Sequence, residues 1–248
     1  TSLSIRPSST AGDGGSVTIQ VRETIYGPII TDNQDIIDGV PSGFSEPALA
    51  MRWAALDESY VMTALFKLNA AQNWDDFREA VSYFAAPAQN MIYADVDGNI
   101  GYQTPGLIPI RPAANTGRVI QDGSTRDTAW LGYIPYDLLP RILNPERGWI
   151  HSANQALVPL EYYDWLAEQL APEYGEDINV VIIEYWYYGF RGERIVELLE
   201  ATDEHTIASL QATYWASSRR CSRARRSRMV SSGTGSGSSA AGVPGRGL

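Results

Sequence analysis

A strand, a tight turn and a second strand are written into the consecutive residues Gln89 to Tyr102. Apolar positions alternate on both sides of Asp97-Gly98. Glycine takes positive φ without steric cost and Asp bonds its own turn backbone, so this stretch predicts an antiparallel hairpin. Just upstream, Asn73 precedes Trp74-Asp75-Asp76-Phe77. An Asn that can cap the first turn, followed by acids where the helix dipole favours them, predicts a helix start. Phe77, Val81 and Phe84 then share one face, and Pro87 marks the end, because its ring excludes helical geometry at the residue before it.

The rest of the chain is patterned less sharply. Ser16 to Thr24 alternates polar and apolar in strand fashion after a Gly12 to Gly15 turn. Ile29-Ile30 starts a short strand, and Ala48 to Leu56 reads as a third that ends in Asp57. Thr104 to Pro145 is rich in Pro and Gly and predicts an ordered excursion with short strands. Residues 157–190 are aromatic and acidic; Tyr162, Tyr163, Trp165, Tyr185 to Tyr188 and Phe190 either fill a core or line an apolar pocket. Gly192 to Ala201 predicts an amphipathic helix with Ile195, Leu198 and Leu199 inward. This mixture of helices and mainly antiparallel strands is α+β.

Charge divides the chain in two. The formal net charge is −10, which argues against nucleic acid as a partner, since phosphate would be repelled over most of the surface. All 29 acids precede Gln211, whereas seven arginines from Arg219 to Arg246 follow it. Residues 1–211 are expected to form the folded part. Residues 212–248, an Arg/Ser run and then Gly/Ser/Ala, are expected to be a low-complexity tail, disordered or translated out of frame. Cys221 is the only cysteine, which excludes an intrachain disulfide or a cysteine-rich metal cluster. No run approaches the ~18 apolar residues of a membrane span. The Thr1 opening, without Met, leads us to expect a piece of something longer.

Three blocks in order carry a resemblance: Arg52-Trp53-Ala54-Ala55-Leu56-Asp57, the hairpin from Gln89 to Tyr102, and Asn144-Pro145-Glu146-Arg147-Gly148-Trp149-Ile150-His151-Ser152-Ala153-Asn154-Gln155. Together they resemble the β subunit of the penicillin-amidase family of N-terminal-nucleophile hydrolases. The resemblance implies an αββα sandwich, here incomplete. It also implies amide hydrolysis by a Ser exposed as a new N-terminus through self-cleavage, with its own α-amine as base. That Ser is expected to lie outside this chain. Tyr26-Gly27-Pro28 looks like a family strand well downstream of the nucleophile, so Thr1 is a poor candidate and the chain alone is expected to be inactive.

By the same resemblance, Asn154 occupies the place of the oxyanion-hole asparagine. Arg194 matches an arginine beside the nucleophile's amine, where a cation would orient Asn154 and keep the amine neutral. The bland readings are an Asn that satisfies a turn and a helix Arg paired with Glu193 or Glu197. No cofactor is implied. A structural calcium is possible in the intact protein, but no metal ligands are expected here: Asp95-Val96-Asp97-Gly98-Asn99 resembles an EF-hand loop, yet Ile100 and Gly106 stand where that loop needs Gly and Glu. The implied substrates are the acyl side chains of β-lactams or of N-acyl-homoserine lactones. The implied partners are an α subunit and the upstream part of the β subunit, and the implied location is periplasmic or secreted. The alternative from another class is a non-catalytic, β-rich binding module that uses the aromatic cluster of 162–190.

Overall fold

A computed structural model describes residues 2–5, 17–31, 48–156, 158–182 and 189–216. In chain order the strands are β1 (Ser2–Ile5), β2 (Val17–Gln20), β3 (Glu23–Thr24), β4 (Gly27–Pro28), β5 (Met91–Ala94), β6 (Ile100–Gln103), β7 (Pro109–Pro112), β8 (Gly132–Tyr133), β9 (Arg141–Leu143) and β10 (Ile178–Val180). The helices include α1 (Val61–Ala70), α2 (Trp74–Ser82), α3 (Leu160–Tyr174) and α4 (Phe190–Leu199), and residues 207–216 are helical as well. Every strand pair among them is antiparallel. The fold is α+β, as the sequence leads one to expect.

Two layered units carry the core. In the first, the sheet β5-β6-β9 is covered by the antiparallel pair α1 and α2. Phe77 and Val81 of α2 meet Tyr93 of β5, with Trp74 stacked on Phe77 at 5.5 Å. In the second, the sheet β10-β7-β8 is covered by α3, whose Leu166 and Leu170 pack on Ile108, Ile110 and Val180. Tyr136, half-buried on the connection between β8 and β9, packs against both clusters, and its hydroxyl donates to the Arg78 carbonyl at 2.8 Å.

The predicted hairpin is β5-β6, and its turn is built on Asp95. That carboxylate accepts from the Asp97 and Asn99 amides at 3.0 and 2.9 Å, from Asn99 Nδ2 at 2.8 Å and from the Tyr93 hydroxyl at 2.7 Å. Gly98 takes φ +89° there. The α2 start also matches the sequence: Asn73 Oδ1 accepts from the Asp76 amide at 2.9 Å. The helix ends at Ser82, ahead of Pro87.

Three readings need correction. Ala48 to Leu56 is no strand: only Ala50 bridges, to Ile29, and Ala54–Leu56 is a 3-10 turn. The cause is Arg52, which donates to both Asp57 oxygens at 2.6 and 2.8 Å and curls the backbone between them. Helix α1 was not legible, because Tyr60 gives no side-chain cap, its first turn carries no acid, and its apolar residues run all round. On α1, Met62, Leu65 and Phe66 stand exposed, with Trp53, Leu56 and Tyr60 exposed just before it. Helix α3 was missed as well, its apolar spacing hidden among aromatic and acidic residues. The Gly12 to Gly15 turn and Tyr185 to Tyr188 lie outside the described residues.

Candidate active site

The loop from Arg147 to Gln155 lies against the start of α4. Asn154 is exposed and takes φ +60°, a left-handed conformation that Asn tolerates better than most residues. Its Oδ1 accepts from Arg191 Nη2 at 2.5 Å. Among the described residues Nδ2 has no hydrogen-bond partner. The amide of this exposed side chain is therefore oriented by a cation on its oxygen.

Arg191, not Arg194, is the cation that the structure brings to Asn154. Arg194 donates to Glu197 on its own helix at 2.6 Å. Both sit on α4, three residues apart; Arg191 lies in the first turn, which faces the loop. The signal for Arg191 was present in the Phe190-Arg191-Gly192 start of the helix, but helical spacing alone does not say which of two arginines meets a neighbouring loop.

Behind Asn154 the loop is tied at several points. Gln155 Oε1 accepts from the Ala153 amide at 2.7 Å, and Gln155 Nε2 lies 3.2 Å from His151 Nε2. Ala153 is buried, and a methyl on buried Gly192 would lie 3.4 Å from both the Gln155 amide and His151 Nε2. Trp149 packs on His151 at 5.5 Å and beneath the Arg147 guanidinium at 4.2 Å. Burial, and then the Arg147 charge, push the His151 imidazole below its ordinary value. His205, the other histidine, has Nε2 3.0 Å from the Leu199 carbonyl at the end of α4. Neither histidine meets a Ser or a carboxylate among the described residues, so no Ser-His-Asp arrangement forms there.

The Arg52 to Asp57 block is held by its own contacts. Arg52 grips Asp57, Tyr133 donates its hydroxyl to the same carboxylate, and Trp130 stacks 4.6 Å from the Arg52 guanidinium. Tyr26 of the Tyr26-Gly27-Pro28 segment donates its hydroxyl to the Thr125 carbonyl. In the aromatic stretch, Tyr162 packs on the α3 core and donates to the Leu138 carbonyl, a core role, while Trp165 is partly exposed. A calcium ion does not fit the hairpin turn, because the Asp95 oxygens are already taken by four donors. Among the described residues no three His, Cys, Asp or Glu side chains group to hold a metal, and no helix is long and apolar enough to cross a membrane.

The acyl-homoserine lactone acylase QuiP of Pseudomonas fluorescens strain Pf0-1 is 32% identical over 157 residues, which cover 63% of this chain and 18% of that protein. The penicillin acylase 2 proenzyme of Pseudomonas sp. strain SE83 is 26% identical over 204 residues, covering 81% and 23%. The chain thus spans about a fifth of the length of these curated relatives. In fold, the chain is similar to a thermostable penicillin G acylase from Alcaligenes faecalis, with a TM-score of 0.58 and 23% identity over 88% of this chain and 34% of that one. The penicillin amidase family model matches residues 5–228, and the chain belongs to that family.

Proposed function

We propose that this chain supplies the oxyanion-binding part of an acylase that hydrolyses a linear amide. One observation carries the reading: the exposed Asn154 is held by a cation on its oxygen, and among the described residues its Nδ2 has no hydrogen-bond partner. Attack on an amide carbonyl builds negative charge on oxygen, and a preorganised amide donor there stabilises the transition state by roughly 3–4 kcal/mol. Arg191 fixes the donor beforehand, so little reorganisation is needed during the reaction.

In this reading the nucleophile is an N-terminal Ser on a segment outside these 248 residues. Its oxygen adds to the carbonyl carbon while its α-amine takes the hydroxyl proton. The C–N bond breaks, the amine product leaves with that proton, and water then releases the acid from the acyl-enzyme. Arg194 is the second cation of the site; it leaves Glu197 when the nucleophile stands beside it and keeps the α-amine neutral. The QuiP and penicillin acylase relatives support an acylated homoserine lactone or β-lactam as the substrate class. An α subunit and the upstream part of the β subunit complete the enzyme, which works in the periplasm or outside the cell.

The test is made in the complete protein that carries this chain, with a phenylacetyl anilide and an N-acyl-homoserine lactone as substrates. Asn154→Gly keeps the left-handed backbone and removes the side-chain amide, the donor together with the oxygen that Arg191 holds. It is expected to lower kcat by about 10²–10³ with KM little changed. Unaltered turnover in Asn154→Gly would sink the reading. The 248-residue chain alone is expected to give no turnover.

A further inference from the structure

Resting on the reading of Asn154 as the oxyanion donor, we propose that Gln155 is its positioning residue, tying the Ala153 backbone to a neutral, Nδ1-protonated His151 and so holding the peptide that carries Asn154. The argument starts from donors and acceptors. The Ala153 amide can only donate, so the Gln155 atom 2.7 Å away is its oxygen. The other end of that side chain is then an NH2 group, and it faces His151 Nε2 at 3.2 Å. Two donors cannot meet there, so His151 Nε2 carries a lone pair and the ring proton sits on Nδ1. Nδ1 is buried and has no hydrogen-bond partner among the described residues, so this tautomer is set from the Gln155 side.

The surroundings favour the neutral ring. Arg147, on the same loop, repels an imidazolium, and Trp149 covers one side. From α4 and its C-cap the groups nearby are uncharged Gly192, Arg191 on Asn154, and Glu200 just past the helix, whose charge acts on Arg147. Adjacent residues of α4 therefore hold the loop at adjacent points, Arg191 on Asn154 and Gly192 over Gln155 and His151. Protonating His151 puts a second donor against the Gln155 amide. The amide then turns or retreats, Ala153 loses its acceptor, and Asn154 loses its fixed aim.

The chain has two histidines, so their ring nitrogens are separable by long-range 1H–15N correlation, with His205 as internal control. His151 is expected in the Nδ1-H form at neutral pH, titrating below the ordinary value of about 6.5. In Gln155→Glu, a carboxylate faces Nε2 and the order reverses: His151 should titrate above about 6.5. Gln155→Leu, which keeps bulk under Gly192, covers the case in which the acid does not fold; there the Nδ1-H preference should weaken. An Nε2-H tautomer in the parent chain, or an Nδ1-H preference in Gln155→Leu equal to the parent's, would overturn the pairing. In the complete enzyme, Gln155→Leu should lower kcat at least tenfold with KM little changed, and its acid limb should no longer follow the His151 titration. A kcat and acid limb equal to the parent's would overturn the positioning role. Failure of the Asn154 reading shows separately, as unchanged turnover in Asn154→Gly with the NMR pairing intact.

Discussion

Single residues set the tightest tolerances in this fold. A methyl built on Gly101 would lie 2.3 Å from the Trp74 ring, so β6 and α2 pack at a distance that only glycine allows. Gly101→Ala is expected to destabilise by about 1–3 kcal/mol through overpacking, read as a lower denaturant midpoint with unchanged slope. Asn73→Ala removes the α2 cap and should cost about 1 kcal/mol in the same assay. Only the first-turn cap was legible in the sequence. Asn73 announces itself by the acids that follow it, whereas the need for Gly101 depends on a ring 27 positions earlier in the chain. Asn154 is singled out in the sequence only through its motif. Its pairing with Arg191 is not, because which of two helix arginines reaches a loop depends on the angle at which α4 meets it.

Among the elements, local pattern served where one segment makes its own structure. The β5-β6 hairpin and α2 were readable because their turn and cap residues act within four positions of themselves. The segment at 48–57 was not, because its form comes from the Arg52 to Asp57 grip and from Trp130 and Tyr133, more than seventy residues away. Arg52→Lys keeps the charge but loses the two-pronged bond and the stacking. Faster hydrogen exchange is expected at the Ile30 and Met51 amides, which bond to Leu49 and Pro28 along this segment, with no change in the hairpin amides. The composition break near Gln211 does not coincide with an element boundary. Residues 207–216 are helical, started by a reciprocal pair in which Thr206 N donates to Ser209 Oγ at 2.9 Å and Ser209 N to Thr206 Oγ1 at 3.1 Å.

For the molecule as a whole, ionisation gives the clearest forecasts. Tyr102, Tyr136 and Tyr162 are pushed up to about 12, with burial the leading cause, as is Tyr133; Tyr93 reaches the same value mainly by donating to Asp95. Between about 10 and 12 the unfolded chain has lost these protons and the folded chain has not. Their stabilisation is therefore complete below about pH 10 and falls as pH rises toward 12. A 295 nm titration of the 14 tyrosines should show a late step that moves to about 10 in denaturant. At the other end, the Arg52 grip lowers Asp57, the Asn99 side chain lowers Asp95, and Arg78 lowers Asp137. Stability from these groups is present above about pH 4 and is lost as pH falls through their lowered values. Chemical denaturation followed at pH 7 and pH 3 should give the lower midpoint at pH 3.

Helix α1 has a further consequence, for handling rather than catalysis. Its inner side closes on α2, while Met62, Leu65 and Phe66 face water, continued by Trp53, Leu56 and Tyr60. Water gains by losing contact with such a surface at roughly 25 cal/mol per Å², and the chain's net negative charge is the main force holding copies apart. Salt that screens the charge, or acid that removes it, is therefore expected to let copies of the chain adhere through this face.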